Sequence, residues 1–115
     1  MQTRFVMICS RDFWFRALGE DVRVWALIDA FSGEDITVFL INDDSSVIAS
    51  RRFPTRAAAR RMLRDEGYVR LLEDRAAQAN IQVPDAPFHL DLRVPPAQDA
   101  PMSAIRSARY LARSA

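Results

Sequence analysis

From Phe88 to Val94 the chain alternates apolar and polar residues strictly. Phe88, Leu90, Leu92 and Val94 fall on one face, and His89, Asp91 and Arg93 on the other, so a half-buried strand is predicted. Residues 4–9 form a short, nearly continuous apolar run, which predicts a strand buried on both faces. Residues 13–18 alternate between Phe13, Phe15 and Ala17 on one side and Trp14, Arg16 and Leu18 on the other. Leu18-Gly19-Glu20-Asp21 has turn composition. Between Val22 and Phe31 two periods compete. The β-branched Val22, Val24 and Ile28 with Trp25 favour a strand, while Ala26, Leu27 and Ala30 favour a helix. The short preceding turn tips the reading towards a hairpin.

The middle of the chain is more sharply patterned. Ile36–Ile41 and Val47–Phe53 are predicted strands joined by the turn sequence Asn42-Asp43-Asp44-Ser45-Ser46. Pro54 ends the second, because it has no N–H for a ladder. Thr55 is placed to cap a helix from Arg56 to about Glu66, with Gly67 at its C′ position. Ala58, Ala59, Met62 and Leu63 lie on one side of that helix, and Arg56, Arg60, Arg61 and Arg64 on the other. A second helix is predicted from about Val69 to Ala79. It would bury Leu71, Leu72, Ala76 and Ala79, with Arg70 and Asp74 as an i,i+4 ion pair.

The fold expected from this pattern is α+β: an antiparallel, meander-like sheet with two consecutive helices packed on one face. The strand 88–94 returns to that sheet. Residues 1–94 would be the domain, 95–101 a Pro-rich linker, and 102–115 a C-terminal amphipathic helix or tail.

Composition narrows the function classes. The chain has 115 residues, enough for one self-sufficient core. The longest apolar runs reach about five residues, far short of the roughly 20 that span a membrane. The run Phe5–Cys9 is also too short for a signal peptide. One cysteine fits a reducing compartment, so a cytoplasmic protein is expected. Net charge is +1, which gives no bulk attraction to polyanions.

Local charge is less even. Residues 51–64 hold six arginines and no acid. Arg51, Arg52, Arg56, Arg60 and Arg64 are therefore the candidate contact for nucleic acid or another partner, since guanidinium forks fit phosphate oxygens. No helix-turn-helix, zinc-finger or stacking-aromatic pattern accompanies them, so a solvated helix face is the plainer reading. All 16 basic residues are arginine, and the abundance of both arginine and alanine suggests a compositional bias of the source.

Catalytic candidates are sparse. His89 and Asp91 could share a proton, but no nucleophile or pocket is evident beside them. Cys9 ends an apolar run and is expected to be a buried, inert thiol. The Asp43-Asp44-Ser45-Ser46 stretch lacks the spacing of a calcium loop. One His and one Cys do not make a structural zinc site. No metal or cofactor is expected. Aromatics are dense in the first half, and Trp14 and Trp25 are the candidate interface residues. The function expected is a small non-enzymatic binding or interaction module, homodimeric or bound to a protein partner. A nucleic-acid accessory protein and an enzyme without a recognisable motif are the alternatives.

Overall fold

A computed structural model of the chain describes residues 3–19, 22–30, 36–91 and 97–98. Its strands are β1 (Thr3–Val6), β2 (Phe13–Ala17), β3 (Arg23–Ala30), β4 (Ile36–Ile41), β5 (Val47–Phe53), β6 (Val69–Arg70), β7 (Phe88–Asp91) and β8 (Ala97–Gln98). The helices are α1 (Arg56–Asp65) and α2 (Arg75–Asn80), with a 3-10 turn at Leu71–Glu73. The α+β class holds.

Five strands form an antiparallel sheet in the order β6-β2-β3-β4-β5, in which β2 to β5 are a meander. β8 adds to the far edge, parallel to β5, through Ala49 and Ser50. It falls inside the stretch 95–101 expected to be a linker. A second sheet pairs β1 with β7.

β3 is the centre. Every residue from Val24 to Asp29 is buried, because both faces of this strand are covered. Alternation sends Val24, Ala26 and Ile28 into one core with Val38, Leu40 and Phe53, and with Ala59 and Leu63 of α1. It sends Trp25 and Leu27 into a second core with Phe13, Ile41, Val47 and Phe88. The hairpin reading of 22–31 is thus realised as β3. A register shift between Leu40 and Ile41 leaves Ile48 opposite no partner, so Ile48 and Ala49 both face the first core.

α1 follows its sequence signals closely. Thr55 Oγ1 accepts a hydrogen bond from Ala58 N at 3.1 Å. Gly67 sits at φ +87°, the left-handed region that closes the helix, and Tyr68 N donates to Leu63 O.

Three expectations are corrected. β1 stops at Val6, and the run 4–9 is not buried on both faces: Phe5 is 68% and Met7 77% exposed. The second helix begins at Arg75 rather than Val69. Val69 and Arg70 instead extend the sheet beside β2, and Asp74 Oδ1 accepts from Ala77 N as the helix cap. Leu72, Ala76 and Ala79 are exposed, while Ala77 is buried. Leu71, Ile81 and Val83, which bracket α2, pack with the second core, whereas α1 covers the first. Finally, β7 does not rejoin the main sheet as a ladder strand. It pairs with β1 and touches the main sheet through a bridge between Ser46 and His89. The expected strand residues 92–94 and the C-terminal segment 102–115 lie outside the described residues.

Candidate functional site

The most exposed large apolar side chains among the described residues, Phe5 and Met7, lie on and just after β1 of the β1–β7 ribbon. Beside it lies a groove of about 350 Å³ lined by Phe5, Val6, Met7, Ile8, Pro87 and Phe88, with Arg11 at the rim. Phe88, at its floor, is buried, and its ring lies tilted at 6.5 Å from that of Phe13, whose ring meets Trp25 edge-on at 5.7 Å.

The chain leaving β1 is held by a buried carboxylate. Asp29, 5% exposed, accepts from Cys9 N at 3.2 Å and Ser10 N at 3.3 Å. Those two N–H groups are thereby removed from any ladder, which explains why the strand ends before them. Arg11 folds back, donating from Nη1 to the carbonyls of Ile8 and Ser10, and lies 5.2 Å from the Phe88 ring. Cys9 is exposed, contrary to the buried thiol expected.

His89 lies on β7, next to the groove floor. Its N donates to Ser45 O, and its Nε2 is 2.9 Å from Ser46 Oγ. Ser46 was not singled out by sequence, because 43 positions separate it from His89. The pair brings a hydroxyl and an imidazole together, but Ser46 is 5% exposed and lines neither cleft. It clamps β7 to the β4–β5 turn.

That turn borders a second cleft of about 370 Å³, with Asp43, Asp44 and Asp85 on its walls. Its carboxylates are largely used internally. Asp43 accepts from Trp25 Nε1 at 2.8 Å and from Arg23 N at 3.1 Å. Asp44 accepts from Ser46 N. Ser45, at φ 71°, carries the turn, so the hairpin reading of these residues is the structural one.

The sequence-selected residues are scattered. Trp14 and Trp25 are both fully buried, one in each core. Arg51 and Arg52 point to opposite sides of β5 by alternation. Arg51 lies 5.3 Å over the Phe53 ring. Arg56 and Arg64 are exposed, and Arg60 is half-buried. Arg64 is bound to Glu73 at 3.3 Å and covers the Trp14 ring at 5.0 Å.

Among the described residues, no group of three His, Cys, Asp or Glu side chains could hold a metal ion, and no helix is long and apolar enough to cross a membrane. Compared with known proteins, the chain matches no family model, no curated protein and no solved structure.

Proposed function

We propose that this chain is a small cytoplasmic, non-enzymatic interaction module whose docking surface is the β1 edge and its apolar groove. The observation that carries this reading is the exposure of Phe5 and Met7, at 68% and 77%, beside a groove floored by Phe88. Covering one such side chain stabilises an interface by about 1.5–3 kcal/mol before the cost of association.

The backbone supports the same surface. β1 pairs with β7 on one side and has no strand on the other among the described residues. An edge strand left open presents unpaired N–H and C=O groups to an incoming strand. The occupant in this reading is a second copy of the chain, with β1 pairing antiparallel to its own equivalent across a twofold axis.

The test is light scattering of the full chain across a concentration series. The expected result is a dimer that dissociates on dilution, with Met7→Glu shifting the equilibrium to monomer by at least tenfold. Met7 is largely exposed, so the thermal midpoint of that variant should match the parent. A parent chain that stays monomeric at the highest concentration would remove self-association as the function.

A further inference from the structure

α1 packs on β4 and β5 through one side, where Ala59 and Leu63 are buried in the first core. At about 100° per residue, the side turned away from that core falls near Ala57 and Arg61. Arg56, Arg60, Arg64 and Arg61 lie in that order within about 140° of the helix circumference, with Ala57 among them. Arg56, Ala57, Arg61 and Arg64 are exposed, and Arg60 is half-buried. Arg56, Arg60 and Arg64 recur every fourth residue, about 6 Å apart along the axis. Asp65, the last residue of α1, is its one acid and falls outside this arc.

The arc is poorly neutralised from within the domain. Arg64 is bound to Glu73 in an exposed pair. Arg56, Arg60 and Arg61 form no ion pair among the described residues. The aspartates of the second cleft, Asp43, Asp44 and Asp85, stand with Val83 and Trp25 against the second core, across the sheet from α1. A net charge of +1 thus conceals a helix with four arginines and one acid.

We propose that the arginine arc of α1 docks on the phosphate backbone of duplex DNA. Guanidinium forks fit phosphate oxygens, and a double helix carries one charge per about 1.7 Å of its axis, so a row about 12 Å long meets several phosphates. Single strands are gripped by aromatic rings on which bases stack. The rings on the α1 side, Trp14, Phe53 and Tyr68, are buried. A helix about 10–12 Å across suits the roughly 12 Å major groove of B-form DNA, whereas the deep, narrow groove of A-form RNA excludes it. The β1–β7 ribbon packs on the second core, so the arc stays open whether or not two copies meet at β1.

The test is fluorescence anisotropy of a labelled duplex of about 20 base pairs with the full chain, between about 50 and 200 mM salt. The three unpaired arginines predict that log affinity falls against log salt with a slope of about −3. Arg61→Gln should make that slope shallower by about one, and Arg56→Gln together with Arg61→Gln by about two. Both side chains are exposed, so the thermal midpoint of the double variant should match the parent. Arg75→Gln removes an exposed cation from α2, between Leu71 and Ile81 of the second core, and should keep the parent slope. Absence of salt-dependent binding, or an unchanged slope in the double variant, would overturn the proposal. So would an equal change in Arg75→Gln and Arg61→Gln, which would make net charge the cause. Tighter binding of duplex RNA, oligothymidylate or polyglutamate at matched charge would overturn it as well, and would assign the arc to that partner.

Discussion

Arg70 and Asp12 lie 58 residues apart in sequence and form the tightest ion pair among the described residues, at 2.7 Å. Arg70 Nε also donates to both carboxylate oxygens, so the guanidinium grips Asp12 along one edge. Both side chains are about a quarter exposed. The pair ties the start of β2 to β6 on the sheet edge. Asp12→Asn removes the charge and leaves the guanidinium half-desolvated, which should cost about 1–2 kcal/mol in urea unfolding. The hydrogen bond to Asp12 raises the Arg70 pKa above its ordinary value. A raised basic group contributes stability that is complete below its unfolded pKa and is lost as pH rises through the folded one. The arginine side of this linkage thus predicts no change in the gap between parent and variant from neutral to mildly alkaline pH. A gap that closes in that range would show that the pair is not its source. Sequence spacing assigned Arg70 to Asp74 instead. That assignment presumed a helix through both residues, and no local signal announces a partner on another strand.

At the scale of elements, the two helices differ in what holds them. α1 has a Thr55 cap and anchors Ala59 and Leu63 in the first core. α2 has six residues, one buried alanine and the Asp74 cap. Isolated helices this short are marginal, so a cap matters more where packing is thin. Thr55→Ala should lower global stability by about 1 kcal/mol while α1 stays helical in the native state. Asp74→Ala should instead loosen α2 locally, seen as faster amide exchange at Ala77–Asn80 with a smaller change in the global midpoint. Equal exchange at α2 in parent and variant would contradict this. The same contrast explains which elements were legible. The β4-turn-β5-α1 unit carries its own turn residues, strand stop, cap and C′ glycine, so local chemistry fixes it. β6 carries none. Val69 and Arg70 leave the helical pattern because β2 offers them a ladder. β1 is cut short because Asp29, 20 residues away, takes the N–H of Cys9. The candidate site suffered most from this. Its groove joins β1 to residues 86–88, and the signal for it in sequence was limited to an apolar run that looked like core.

The whole molecule is a sheet with a core on each face and a two-stranded ribbon attached at one side. β3 and β4 are enclosed by both cores, whereas β1 pairs with one strand and exposes Phe5. A two-stranded ribbon is marginally stable alone, and opening free energies in a domain run from near zero to the global value. The β1 amides should therefore exchange by local opening, well before those of β3 and β4, whose exchange requires global unfolding. The clamp between His89 and Ser46 restrains β7, so β1 should open as a single flap while His89 N stays bound to Ser45 O. Native-state hydrogen exchange in dilute urea separates the two classes, since local openings expose little surface and depend weakly on denaturant. If the β1 edge is where a second copy docks, raising protein concentration should slow exchange at β1 and leave β3 unchanged. Uniform protection across β1, β3 and β4 at low concentration would mean that the ribbon is already part of the global unit, and that its exposed side chains need no partner to hold it closed.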